Sequence, residues 1–131
     1  MKLLLDTHVA LWAIADDDRL SAKARRLIDD PENEVVVSAA TVWEISIKHA
    51  LAPGRPNDMP ISGEEALGYF RDAGFELLGI SPTHAAAVEA LPPLHADPFD
   101  RILVAQALTT PLRLLTHDER IVCYSDLVIA V

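Results

Sequence analysis

Short apolar runs that do not alternate constrain this 131-residue chain more than any other feature. KLLLD (2–6), EVVVS (34–38), FELLGI (75–80), RLLT (113–116) and DLVIAV (126–131) are each too short for a helix and read as strands. Several are apolar at consecutive positions, as expected of parallel strands covered on both faces. Helical patterns lie between them, and their starts are marked. Ser21 precedes AKARRLIDD, and Ser62 with Glu65 forms a capping-box pattern. Ser81-Pro82 and Asp97-Pro98 each pair a capping residue with proline at the first helical position. Ala52 to Ile61 (APGRPNDMPI) holds three prolines and a glycine and reads as a loop within the domain. The alternation predicts an α/β fold: a three-layer sandwich with a mostly parallel five-stranded sheet flanked by helices, as one domain over 1–131.

Composition narrows the class. Half the residues are hydrophobic, enough for a core without a disulfide or structural metal, and Cys123 is the only cysteine. The start MKLLLD meets a charge too early for a secretory leader, and no apolar run approaches a membrane span. These features predict a cytoplasmic protein with no membrane partner. Twenty acidic residues against eleven basic ones give a net charge of −9. That is not the basic footprint usual in nucleic-acid binding, but an excess of carboxylates suits hard cations.

In open α/β sheets, ligands bind beyond the carboxyl ends of the strands. Four acids are predicted to fall there. Asp6 ends the first strand, where capping the next helix would explain it equally well. Glu44 lies on a helical stripe with Ala40, Trp43, Ile47 and Leu51, where leucine would be expected, with Lys48 one turn on as an ordinary ion-pair partner. Asp100 falls in the first turn of the helix that Asp97 caps. Asp118 follows RLLT by two residues, with Thr116 beside it. Four carboxylates gathered at one edge repel one another, and a divalent cation resolves the conflict. Oxygen ligands favour Mg²⁺ or Mn²⁺ over Zn²⁺, and such ions assist phosphodiester hydrolysis.

LLLDTHVALWA (3–13), the Glu44 segment, HADPFDRILVAQA (95–107) and LLTHDERI (114–121), in this order, resemble the PIN-domain ribonucleases, specifically the toxins of VapBC-type toxin–antitoxin pairs. HADPFDRILVAQA is the most specific stretch. The resemblance implies that Asp6, Glu44, Asp100 and Asp118 hold Mg²⁺, for which Mn²⁺ can substitute. Asp97 competes with Asp100 for the third place, and DRILVAQA (100–107), an acid followed by an apolar, alanine-rich helix as is usual in the family, favours Asp100. It further implies endonucleolytic cleavage of tRNA, rRNA or mRNA, leaving 3′-hydroxyl and 5′-phosphate ends. A homodimer held in check by a small antitoxin protein is implied as well.

Thr7, Thr116 and Arg101 are candidates for contacting the RNA substrate. Each also has a plain structural role: turn backbone for the threonines, a partner for Asp97 or an exposed helix position for Arg101. His8 and His117 follow proposed strand ends, while His49, His84 and His95 show no ligand spacing. Lys23, Arg25 and Arg26 form a solvated helix face or a phosphate track. Trp12 and Trp43 are expected to fill core, with no basic residues interleaved for base stacking. Three other readings compete: a DNA or structure-specific nuclease with the same metal logic, a non-catalytic binding module, and an aspartyl phosphotransferase. The last lacks the second aspartate of a DxD motif after the first strand.

Overall fold

A computed structural model describes residues 1–51 and 59–131. Five strands form one parallel sheet: β1 (Lys2–Leu5), β2 (Glu34–Ser38), β3 (Glu76–Leu78), β4 (Arg113–Thr116) and β5 (Val128–Ala130), in the order β3-β2-β1-β4-β5. Two of them, β3 and β5, are shorter at both ends than the apolar runs predicted. The helices are α1 (Thr7–Ala15), α2 (Ala22–Asp29), α3 (Ala39–Leu51), α4 (Gly63–Asp72), α5 (Pro82–Ala87), α6 (Pro98–Thr109) and α7 (Glu119–Val122), with a 3₁₀ turn at Val88–Ala90. The predicted loop at Ala52–Ile61 lies outside the described residues as far as Asp58.

Side chains on successive strand positions point to opposite faces, so apolar residues at every position fill two cores. Leu3, Leu5, Val35, Val37 and Leu115 pack on one face with Val9, Ile45 and Phe70. Leu4, Val36 and Leu114 pack on the other with Leu103, Val104 and Ala105 of α6. This is why the central strands read as unbroken apolar runs.

The predicted caps form. Ser21 accepts from the Ala24 N–H, and Ser62 and Glu65 complete a capping box. Ser81 and Asp97 cap α5 and α6 with proline in the first turn. Asp6 and Asp118 cap α1 and α7. Gly63 opens α4 hard against α3: a Cβ there would lie 1.8 Å from Ser46 Oγ, so any other residue would force Ser46 to shift.

Two expectations fail at Trp43. The stripe Ala40–Trp43–Ile47–Leu51 is not the buried face of α3, since Trp43 is 56% and Leu51 75% exposed. The buried line is Ala40, Thr41, Glu44 and Ile45. It is selected because α3 packs on α1, α4 and α6 as well as on β2, so Ile45 enters the core and Thr41 and Glu44 turn toward α1. Trp43 rests edge-on against Phe99, with ring centres 5.0 Å apart. Trp12 is half-buried over one core and sandwiched by His8, His117 and Arg19.

The strand order reverses at β1, which is flanked by β2 on one side and β4 on the other. At such a switch point the connections leave in opposite directions and open a crevice beyond the strand ends.

Candidate metal centre

That crevice is a cavity of about 580 Å³ lined by Asp6, Thr7, His8, Glu44, Lys48, His95, Asp97, Asp100, His117, Asp118, Glu119 and Arg120. Asp6 extends from the end of β1, and its backbone N–H continues the ladder to Leu115 C=O (3.0 Å). One carboxylate oxygen accepts from the Val9 N–H (2.8 Å); the other accepts from Thr116 Oγ1 (2.5 Å). Thr116 Oγ1 in turn accepts from the Asp118 N–H (3.0 Å), so this fully buried hydroxyl ties the ends of β1 and β4 together. Glu44 is buried and accepts from Thr7 Oγ1 (2.6 Å) and Lys48 Nζ (2.6 Å). Asp97 accepts from the N–H groups of Phe99 and Asp100, which turns Asp100 inward one helical step later.

The electrostatics are uneven. Burial pushes the Asp100 carboxyl up to about 7, and the negative charges of Asp97, Glu44 and Asp6 add to it against a smaller opposing effect of His95. Burial also raises Asp6, despite its hydrogen bonds. Asp118 goes the other way, held near 2 by the fork of Arg120. That guanidinium meets both oxygens of Asp118, at 3.2 and 2.9 Å.

His95 belongs to the centre, although its spacing in the sequence did not suggest it. Its ring is buried, with Nε2 3.0 Å from Asp100 Oδ2 and 3.1 Å from Asp118 Oδ2. Nδ1 accepts from the Asp97 N–H (3.2 Å), so in the neutral ring the proton sits on Nε2 and is donated to Asp118, with Asp100 alongside. The signal was its place two residues before the Asp97-Pro98 cap, within the same turn. Arg120, two residues after Asp118, was likewise missed.

Three substrate-contact candidates find different places. Thr7 lines the cavity but is engaged with Glu44 and Thr41. Thr116 is wholly buried and holds Asp6 and Asp118. Arg101 does not line the cavity. Its guanidinium donates to the carbonyls of Val88, Leu91, Pro92 and His95 and to the Tyr124 hydroxyl, gathering the chain between the 3₁₀ turn and α6. Arg25 of the basic α2 face is paired with Asp16.

The donor set fits a hard divalent cation. One oxygen each of Asp100 and Asp118 lies within 4.8 Å of the other and of His95 Nε2. Asp6, Glu44 and Asp97 add further carboxylates around the same cavity; burial raises the carboxyls of Asp6 and Asp100, and at Asp100 the neighbouring acids add to it.

Residues 3–126 match the family model described as PIN domain. The chain belongs to the PIN-domain family. It is 33% identical over 122 residues to Ribonuclease VapC22 of Mycobacterium tuberculosis (strain ATCC 25618 / H37Rv), covering 91% of this chain and 88% of that one. Among solved structures, VapBC2 from Rickettsia felis bound to a DNA fragment from its promoter aligns with a TM-score of 0.69. The two are 15% identical, over 100% of this chain and 98% of the other. FitAcB from Neisseria gonorrhoeae aligns with a TM-score of 0.63 and 19% identity, over 98% and 96%. These two likenesses extend to the fold. In this PIN domain the resembling segments of the sequence all reach the one crevice.

Proposed function

We propose that this PIN domain, acting as one unit over residues 1–131, is a divalent-metal-dependent endoribonuclease and the toxin of a VapBC-type pair. The observation that carries the reading is the convergence of Asp6, Glu44, Asp97, Asp100 and Asp118 on one cavity that Lys48 and Arg120 line as well, a crowding that together with burial pushes Asp100 up to about 7. The resemblance to Ribonuclease VapC22 supports RNA as the substrate class over DNA.

Asp6, Glu44, Asp100 and Asp118 would hold Mg²⁺, or Mn²⁺ in its place, with Asp97 as cap and outer support. The cation supplies Lewis acidity to a phosphoryl oxygen and a water acidic enough to attack at neutral pH. The chain's own residues set up that chemistry. Thr116 and the Val9 N–H fix the two oxygens of Asp6, and Thr7 orients Glu44. His95 donates from Nε2 to Asp118 and sits 3.0 Å from Asp100 at the same atom, between the two acids. With the attacking water made acidic by the cation, no side chain would need to serve as a general base, and because water rather than the ribose 2′-hydroxyl would attack, the products would carry 5′-phosphate and 3′-hydroxyl ends.

The proposed partners are the RNA substrate, a cognate small antitoxin protein and a second copy in a homodimer. The structural neighbours include toxin–antitoxin complexes, which supports the antitoxin partner. Among the described residues, no helix is long and apolar enough to cross a membrane, and we place the activity in the cytoplasm. The test is incubation with total RNA in Mg²⁺ or Mn²⁺, with 5′ ends mapped by ligation. Discrete fragments with 5′-phosphates are expected, and none in excess EDTA. Undiminished cleavage in EDTA, or 2′,3′-cyclic phosphate ends, would overturn the reading.

A further inference from the structure

Lys48 and Arg120 are the only lysine and arginine lining the carboxylate cavity among the described residues. Each is occupied by an acid of the centre. Lys48 Nζ lies 2.6 Å from Glu44 Oε2, and Arg120 Nη2 lies 2.9 Å from Asp118 Oδ2. Both side chains reach solvent, at 48% and 67% exposure, whereas their acidic partners are 6% and 27% exposed. In each pair the acid is the more enclosed partner and the cation the more exposed one.

Two cations at one carboxylate compete: charge drawn to one weakens the hold on the other. RNA approaching this cavity meets a surplus of acids, on a chain whose net charge is −9. Its backbone needs positive contacts close to the centre, and Arg101, the other basic residue nearby in sequence, is committed to backbone carbonyls. We propose that Lys48 and Arg120 are exchangeable counter-ions: they neutralise Glu44 and Asp118 in the ion-free protein, and grip RNA phosphates once a divalent cation takes those carboxylates. Lys48 acts as a point charge on a flexible stem, and Arg120 as a planar fork suited to two phosphate oxygens.

The exchange rests on the nuclease reading and has a signature that a structural role lacks. Removing either side chain should tighten divalent-ion binding and weaken RNA binding at once. The experiment titrates Mn²⁺ by calorimetry, without RNA, into the wild type, Lys48→Ala, Arg120→Ala and the control Lys48→Arg. It then measures kcat and KM on a single-stranded RNA that the wild type cleaves, at saturating Mn²⁺ and several salt concentrations. In the alanine variants Mn²⁺ affinity is expected to rise about two- to fivefold, the scale of one partly exposed ion pair. KM should rise roughly five- to tenfold with kcat within about threefold, and the salt dependence of kcat/KM should flatten by about 0.7 per lost phosphate contact. Lys48→Arg should restore KM. Unchanged or weaker Mn²⁺ binding in both alanine variants, or an unchanged KM, overturns the exchange. Absence of cleavage by the wild type itself overturns the nuclease reading and the exchange with it, a result distinct from variants that behave like an active wild type.

Discussion

The two ends of the sheet carry cavities of nearly equal volume, about 570 and 580 Å³, and both are lined by acids. At the amino end, Glu34 and Glu76 flank Lys2 at 3.4 and 3.6 Å, and all three side chains are at least half exposed. Water and one lysine suffice there. At the carboxyl end, Asp6 and Glu44 are 4% and 5% exposed and share their crevice with Asp100. Acid content does not separate the two places; desolvation does. A carboxylate in water needs no partner, whereas several pressed together out of water need a cation or a proton. The topology explains the asymmetry. Strands enter at the amino end from solvated turns, but they leave the carboxyl end into α1, α3 and α7, whose first turns close over the acids.

The contrast can be broken most sharply by charge removal. Asp100→Asn or Asp6→Asn should lower RNA cleavage by about a thousandfold or more with the fold retained, since the shape survives and only the cation's partner is lost. Glu34→Gln at the opposite end should cleave as the wild type does. A gel assay on one RNA, with circular dichroism to check folding, compares them. Similar losses at both ends would dissolve the distinction.

A second effect is on stability against pH. Asp100 holds its proton up to about 7 in the folded chain but to its ordinary 3.8 when unfolded. Between those values the folded state binds more protons, so stability falls as pH rises. This contribution is fully present below pH 3.8 and is lost as pH passes through about 7. Thermal melts of ion-free protein should therefore show a decline over that window that flattens in Asp100→Asn, and added Mg²⁺ should oppose it. A wild-type profile parallel to that of the variant would refute the assignment to Asp100.

Smaller effects sharpen the same comparison. Thr116→Val removes the donor to Asp6, in a buried bond, and the acceptor of the Asp118 N–H, in a part-buried one. It should cost about 1–3 kcal/mol in denaturant unfolding and reduce kcat more than it changes KM. Loss of stability without loss of kcat would make Thr116 a structural tie alone. Lys2→Ala, which frees two exposed acids, should change unfolding free energy by no more than about 1 kcal/mol.

What was legible before folding varied with the range of the signal. Caps were readable because Ser62–Glu65 and Asp97–Asp100 interact across three residues, within a single turn. Parallel strands were readable because burial on both faces leaves no polar position in LLL or VVV. The lean of α3 was not: Trp43 and Glu44 are neighbours in sequence, and which of them faces inward depends on α1, α4 and α6. Arg101 could not be placed either, as the carbonyls that it serves end a segment with no periodic pattern. His95 escaped notice because its partners, Asp100 and Asp118, sit on different elements.

By itself the sequence determined the alternation of strand and helix, the two-faced core and the residue types available for a cation, because those depend on local period and on chemistry carried by each side chain. Only the tertiary structure decided that Asp6, Glu44, Asp97, Asp100 and Asp118 share one cavity, that Thr116 lies beneath it rather than in it, and that Lys48 and Arg120 supply its lysine and arginine. Distances between residues 6 and 118 are set by the strand order around β1, and desolvation is a property of everything packed around a group, which no short stretch of chain contains.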